Sequence, residues 1–217
     1  MNKNDYIIRL EKPCDYAEVE NLTREAFWNV YAPGCNEHYF VHVMRSHEDF
    51  IPELAFIIEL DGRIIGNVMY TKSNLVDEKS EAKTILTFGP ISILPEFQRK
   101  GYGKLLLEHS FAKALELGYD AVVIFGNPGN YVSSGFKSCK KYNVCLEGDV
   151  FPTALLVKEL KENALDEKKW YFHESNASEP CNDTIAVEEF DSNFPHKEKH
   201  WKPSQEEFYI YSHSTIG

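Results

Sequence analysis

Apolar positions along the chain recur with two different periods. Short runs rich in β-branched and aromatic residues have the length and composition of strands, and longer stretches repeat apolar residues every three or four positions, as helices do. The runs that predict strands are residues 6–10, 54–60, 63–70, 83–94, 120–127, 154–160 and 170–172. This mixture predicts an α/β (α+β) fold in which helices pack on a sheet.

Helical periodicity is clearest in three stretches. The first runs through Val19, Leu22, Phe27 and Val30, and we expect Asp15 with Glu18 to cap its start. The other two are residues 37–47 and the stretch from Leu105 to Gly118. Between the strands, Asp61-Gly62 predicts a tight hairpin. The polar residues 74–83 predict a loop or frayed strand ends, and Gly89-Pro90 predicts a bulge in the strand 83–94.

The stretch from Ile91 to Leu107 joins a strand to a helix. Pro95 ends the apolar run, and two glycines, Gly101 and Gly103, fall at the first turn of the next helix. Unpaired N–H groups and the positive end of the dipole make such a turn suitable for phosphate. Basic and amide side chains nearby would add donors: Gln98, Arg99, Lys100 and Lys104. The alternative is a glycine-eased helix start with solvated basic residues.

Two common phosphate motifs do not fit this stretch. The dinucleotide fingerprint requires a third glycine where Leu106 stands. A P-loop requires Ser or Thr after the lysine, and Leu105 follows Lys104.

The remaining pattern, Gln-x-x-Gly-x-Gly after an apolar strand that ends in Pro, resembles the acetyl-CoA motif of the GNAT superfamily of N-acetyltransferases. The likeness continues downstream through the strand at Asp120 and the Tyr-x-x-x-Gly-Phe segment that runs from Tyr131 to Phe136. It extends upstream through the Asp61-Gly62 hairpin. Over residues 5–175 the chain is similar to a bacterial subgroup of predicted acetyltransferases of undefined substrate.

This resemblance implies a fold and a cosubstrate. The fold would be a mixed, mostly antiparallel central sheet that splays at the acetyl-CoA strand and is flanked by helices, as in acyl-CoA N-acyltransferases. Residues 1–160 would form that domain, with acetyl-CoA as cosubstrate and no metal. The residues expected to bind the cosubstrate are Ile91, Ser92, Ile93, Gln98, Arg99, Lys100, Gly101, Tyr102, Gly103, Lys104 and Asn127.

The resemblance also implies a mechanism, in which an amine attacks the thioester directly. A backbone N–H near Ile93 would stabilise the oxyanion. Tyr131 is the expected general acid, because a phenol with a pKa near ~10 stays protonated at neutral pH and can supply a thiolate with a proton. The alternative for Tyr131 is a half-buried aromatic residue in a loop. We expect Cys139 to be a packing residue, since no histidine adjoins it in the sequence.

The general base is left open. Thr87-Phe88 replaces the strand glutamate that some members of the superfamily use, and a water chain is an alternative to any side chain. Residues in segments that would border the cleft are Glu25, Glu37, Glu53, His38 and His42. The histidines are expected at the surface or at the cleft edge. A metal site there is disfavoured, because the His-Glu-x-x-His arrangement is absent.

Composition narrows the classes of partner. The chain has 217 residues, with 23 Lys and Arg against 34 Asp and Glu, so its formal net charge is −11. This charge disfavours nucleic acid or an anionic membrane as a partner and mildly favours an amine of a small molecule or peptide. The simpler explanation of the charge is solubility. Five cysteines without Cys-x-x-Cys spacing, and no apolar leader, predict a cytoplasmic protein with reduced thiols.

Residues 161–217 differ in composition from the rest. Residues 170–196 hold six acidic residues and no Lys or Arg, and aromatic residues continue to Tyr211. We expect this extension to pack on the domain or on a partner subunit, which is compatible with a homodimer. Helical turns are predicted at 187–190 and after Ser204, which forms a capping-box pattern with Glu207. The extension also motivates an alternative function, a non-catalytic acyl-CoA-binding or regulatory module on the same fold.

Overall fold

The computed structural model of the chain describes residues 6–166 and 168–217. Within them, nine strands form one sheet: β1 (Tyr6–Leu10), β2 (Phe56–Leu60), β3 (Arg63–Asp77), β4 (Ala82–Ile93), β5 (Ala121–Phe125), β6 (Lys137–Ser138), β7 (Val144–Cys145), β8 (Leu155–Glu159) and β9 (Trp170–His173). The order is β1-β2-β3-β4-β5-β8-β6, and β9 pairs with β3 and β7. Only β4–β5 and β7–β9 pair in parallel. The predicted mixed, mostly antiparallel sheet is confirmed.

The hairpin of β3 and β4 is longer than its sequence pattern predicts. Of the two predictions for residues 74–83, strand ends agree with the structure better than a loop does, because β3 continues to Asp77 and β4 begins at Ala82. In this part of β3, Lys72 and Asn74 are exposed while Ser73 and Leu75 are buried. Beyond the end of β2, β9 pairs with Asn74 to Asp77. The sequence of this part of β3 is rich in polar residues because one face of the strand is exposed to solvent.

Six helices accompany the described part of the sheet: α1 (Tyr16–Phe27), α2 (Glu37–Met44), α3 (Tyr102–Glu116), α4 (Pro128–Tyr131), α5 (Thr184–Asp191) and α6 (Pro203–His213). Each of the three clear helical patterns in the sequence thus corresponds to a helix. α1 ends earlier than predicted, because Asn29 adopts a left-handed conformation with φ of 61°. Among the described residues, no helix combines the length and apolar character needed to cross a membrane.

The helices lie on both faces of the sheet. Met69 of β3 packs against Val41 and Met44 of α2. The next residue, Tyr70, shares a 2.6 Å hydrogen bond with Ser110 of α3. Successive strand residues point to opposite faces, so α2 covers one face and α3 the other. α1 lies on the α2 side, because Thr23 bonds Asn67, two residues before Met69.

Two predicted helix caps are wrong. Asp15 does not cap α1, because its carboxylate binds the Lys12 N–H and the guanidinium of Arg9. Ser204 does not cap α6, because its hydroxyl donates to the carbonyl of Val30 instead. Both side chains stabilise tertiary contacts, a use that capping patterns alone do not reveal.

The C-terminal segment, residues 176–216, crosses the α1–α2 side of the domain. Its backbone at Glu198 accepts hydrogen bonds from Trp28 and Asn29, both at 3.0 Å. Near its end, Pro152 and Thr215 form an isolated antiparallel bridge. The segment thus runs from β9, past the loop between α1 and α2, to the loop before β8. Its role in subunit association stays a prediction.

Candidate active site

The connection between β4 and α3 presents an open helix start. Gly101 has φ of 92° and stands just before Tyr102, the first residue of α3, with no side-chain cap. A Cβ atom at Gly101 would meet nothing within 4 Å, and one at Gly103 would meet only Ile93, at 3.7 Å. A phosphate group that approaches the unpaired N–H groups of this first turn therefore meets no side chain at either glycine.

The basic residues of this connection are exposed. Arg99 and Lys100 form no ion pair among the described residues, while Lys104 lies 3.8 Å from Glu108. Gln98 plays a different part, because its amide donates to the carbonyl of Ile93 at 2.9 Å. Gln98 thus ties the connection to the end of β4, and the two lysines and the arginine supply positive charge around the helix start.

β4 leaves one edge unpaired next to this connection. β4 and β5 share a single register pair, Leu86 with Val122. The pairing of β4 with β3 shifts between Val68 and Tyr70, opposite Gly89-Pro90, where a bulge is predicted. Beyond Leu86 the two parallel strands separate, so the sheet splays at the predicted strand.

The open edge exposes particular backbone groups. The N–H of Leu94 donates to Ile65 of β3 at 2.9 Å. Because N–H groups alternate in direction along a strand, those of Ile93 and Ile91 point to the β5 side. They face the opening at the place where a backbone donor near Ile93 is expected.

Ser92 lies outside this arrangement. By the same alternation its N–H points toward β3, and its buried hydroxyl donates to Thr23 of α1 at 3.2 Å. Asn127 is also engaged, because its side chain accepts a 2.9 Å hydrogen bond from the Gly129 N–H and caps α4. Of the residues expected to bind the cosubstrate, Ser92 and Asn127, like Gln98, have side chains that are hydrogen-bonded within the protein.

Tyr131 closes α4 beside the opening. Its ring packs on Gly126, where a Cβ atom would lie 2.6 Å from the ring. Phe88 and Phe136 flank it, with centroids 5.6 Å and 5.9 Å away. Burial, and then the neighbouring phenol of Tyr31, raise the pKa of Tyr131 above its ordinary value. The group therefore stays protonated at neutral pH and is able to donate a proton.

The candidate bases occupy different settings. Glu25 pairs with Lys197 at 2.8 Å, and the half-exposed His42 bonds Glu20 at 3.0 Å. Glu53 is exposed. Glu37 lines a cavity of about 340 Å³, and burial raises the pKa of its carboxyl to about 7. A base is most effective when its pKa lies near the working pH, and Glu37 meets that condition.

The expectation that His38 lies at the surface or cleft edge is wrong. The side chain is fully buried, with Nε2 3.0 Å from Asp191 and Nδ1 3.4 Å from the thiol of Cys35. Burial lowers the pKa of His38 to about 4 and raises that of Cys35 above its ordinary value. The row of Cys35, His38 and Asp191 has the outline of a nucleophilic triad. However, the Asp191 carboxylate is bound by Arg24 through two hydrogen bonds, so its charge is already compensated.

Cys139 is a packing residue in the structure. It is fully buried and donates to the carbonyl of Pro152 at 3.5 Å, and burial raises the pKa of its thiol to about 11. The sequence does not predict that the C-terminal segment lines a cavity together with the α1–α2 loop. The only signal in the sequence was the density of aromatic residues after 190, which does not say where they pack.

Comparison with known proteins identifies a family. A family model described as the acetyltransferase (GNAT) family matches residues 19–136. The uncharacterized N-acetyltransferase YhbS of Escherichia coli K12 is 26% identical over 161 residues, which are 74% of this chain and 90% of that protein. The uncharacterized N-acetyltransferase YjhQ of the same organism is 23% identical over 139 residues, 64% of this chain and 74% of YjhQ.

Solved structures show the same fold. The crystal structure of YhbS from Escherichia coli in complex with CoA has a TM-score of 0.70 at 21% identity, covering 82% of this chain and 94% of that one. A GNAT family acetyltransferase from Brucella melitensis in complex with acetyl-CoA has a TM-score of 0.61 at 23% identity, covering 80% and 98%. With the family match over more than half of its length, the chain belongs to the GNAT family of acetyltransferases.

Proposed function

We propose that the protein transfers the acetyl group of acetyl-CoA to an amine of a small molecule or peptide by direct attack. The observation that carries this proposal is the juxtaposition of three features. These are the uncapped start of α3 at Gly101, the open edge of β4 at Ile93, and the protonated phenol of Tyr131 beside it. Two similar structures carry CoA or acetyl-CoA, which supports the choice of cosubstrate.

Each feature serves one part of the reaction. The pyrophosphate of acetyl-CoA would rest on the first turn of α3, near Arg99 and Lys100. The pantetheine arm would run along the open edge of β4, with the thioester carbonyl at the N–H of Ile93. A preorganised donor of that kind contributes ~3–4 kcal/mol to acyl-transfer transition states. Tyr131 would protonate the departing sulfur.

Calorimetric titration with acetyl-CoA and with CoA tests the cosubstrate site. Gly103→Asp places a carboxylate where the pyrophosphate is expected. With an effective dielectric constant of ~20, we expect the repulsion between the two negative charges to weaken the affinity for acetyl-CoA roughly 100-fold. Gly103→Asn is the matched control, because it adds a side chain of the same size at the same position, without the charge. Equal affinities of the two variants would refute the phosphate assignment.

A turnover assay distinguishes the enzyme from the alternative, a non-catalytic module that only binds acyl-CoA. Release of the CoA thiol that depends on an added amine supports the enzyme. Tight binding of acetyl-CoA with no release on any amine would support the non-catalytic module instead.

A further inference from the structure

A cavity of about 340 Å³ lies between the α1–α2 loop and the C-terminal segment. One wall is the loop itself, and the other is α5 with the residues on either side of it. The residues that line the cavity include Tyr31, Glu37, Val187, Glu188 and Lys199. The segment lies outside residues 19–136, the stretch that the family model matches.

The second wall is held firmly in place. Asp191, the last residue of α5, receives hydrogen bonds of 2.6 Å and 3.1 Å from the buried guanidinium of Arg24. Farther along, the stem of Lys199 packs so closely on Gly34 that a Cβ atom there would lie 3.1 Å from it. The cavity is therefore bounded by built contacts on both sides.

The charges of the cavity leave one carboxylate without a cation. Lys199 pairs with Glu188 at 3.1 Å, so these two charges offset each other. Glu37 belongs to no ion pair among the described residues and accepts only the Asn36 N–H at 3.1 Å. The other titratable groups that face Glu37 are Tyr31, Cys35 and Cys181, and their raised pKa values keep them neutral at pH 7. The ionised cavity thus carries a net charge that one cation would balance.

Tyr31 links the cavity to the reacting centre. It lines the cavity, and its phenol lies near enough to Tyr131 to raise the pKa of that group. Phe208 of α6 holds the Tyr31 ring, with centroids 4.4 Å apart. An amine seated against Glu37 would contact the apolar surfaces of Tyr31 and Val187. Tyr31 lies in the loop after α1, and α1 is joined to β4 by the 3.2 Å hydrogen bond from Ser92 to Thr23.

We propose that this cavity binds the acceptor, that the acceptor is a small primary amine with one positive charge and a short apolar body, and that Glu37 binds its ammonium group. This inference rests on the proposed function and names its substrate class. The volume of about 340 Å³ suits a small molecule better than a peptide, and the single unpaired carboxylate suits a monoamine better than a polyamine. Phenethylamine has the proposed chemistry, and spermidine and a lysine-containing peptide do not.

Glu37 would also act as the base. It takes one proton from the ammonium, and the neutral nitrogen attacks the thioester carbon. The C–N bond forms and the C–S bond breaks, and the CoA sulfur takes the proton of Tyr131. The phenolate of Tyr131 then takes the second proton from the acylated nitrogen, and Glu37 releases its proton to water. The products are the amide, CoA thiol and one proton.

Calorimetric titration of phenethylamine into the full-length protein saturated with CoA tests the inference without turnover. Glu37→Gln removes the charge-assisted contact, and we expect affinity to fall at least about tenfold. Glu189→Gln is the control, since Glu189 is an exposed carboxylate on the same helix as Glu188 and lies outside the cavity lining. Wild-type affinity in Glu37→Gln, or tighter binding of spermidine or the peptide than of phenethylamine, would overturn the inference.

A second variant fills the space instead of removing the charge. Val187→Trp should abolish phenethylamine binding while the affinity for CoA stays that of the wild type. Retained amine binding in this variant would place the acceptor elsewhere and refute the cavity assignment. These readouts are separate from turnover. If wild-type protein releases thiol with phenethylamine and Glu37→Gln does so with unchanged kcat and KM, the proposed function stands and this inference fails.

Discussion

At the scale of single residues, burial sets the chemistry of the site. Tyr131 and Glu37 have ordinary side chains that a protein surface would leave fully protonated and fully ionised, respectively. Burial keeps the phenol protonated well above neutral pH and brings the carboxyl of Glu37 to a pKa of about 7. One group is therefore suited to donate a proton and the other to accept one at the same pH.

Tyr131→Phe tests the proton donor. The substitution keeps the ring that packs on Gly126 and removes only the hydroxyl. We expect kcat to fall at least about 100-fold, since general acids contribute that much or more, with the KM for acetyl-CoA unchanged. Steady-state thiol release measures both constants. Tyr209→Phe, at an exposed tyrosine of α6, is the control, and equal rates for the two variants would remove Tyr131 from the mechanism.

His38 gives a pH signature of stability. Burial lowers its pKa to about 4 in the folded protein, against ~6.5 in the unfolded chain. The unfolded state then binds more protons between these values, so the free energy of unfolding falls as pH drops from ~6.5 to about 4, by at most ~1.4 kcal/mol per pH unit. Urea unfolding at several pH values measures this slope. His38→Gln should flatten it, and an unchanged slope in that variant would contradict the assignment to His38.

At the scale of elements, α5 is fixed through its last residue. Asp191 offsets the charge of Arg24, which is only 1% exposed. Removing one partner of a buried pair leaves the other charge uncompensated, so we expect Asp191→Ala to lower the free energy of unfolding by about 3 kcal/mol. Asp183→Ala, which removes the N-cap of the same helix, should cost about 1 kcal/mol. Urea denaturation compares the two, and an effect of Asp191→Ala no larger than that of the cap would contradict this account.

Elements with a strong local pattern were predictable from the sequence, and elements defined by tertiary contacts were not. The strand at Ile91, the turn at Gly101 and the helix from Tyr102 follow from β-branched residues, glycine and helical periodicity. The extension of β3 to Asp77 did not follow, because its exposed Lys72 and Asn74 look like loop residues. The position of His38 did not follow either, because Asp191, which faces it, comes far later in the chain.

At the scale of the whole molecule, the C-terminal segment packs along the α1–α2 side of the domain and forms one wall of a cavity there. The sequence predicts that the segment packs on the domain or on a partner subunit, because it has too many aromatic residues for a solvated tail. The sequence does not predict which surface of the domain the segment covers. The structure shows that the surface is the α1–α2 side, where Asn29 holds the backbone at Glu198 and His200. The segment therefore borders the cavity proposed to bind the acceptor, while a Cβ atom at Gly101, at the start of α3, would meet nothing within 4 Å.

The central claim is acetyl transfer to an amine at this site, and thiol release from saturating acetyl-CoA, with and without phenethylamine, tests it most directly. We predict release that depends on the amine, yields one amide per CoA thiol, and falls at least about 100-fold in Tyr131→Phe. Release at the same rate without any amine, or no release with any primary amine despite tight acetyl-CoA binding, would contradict the account.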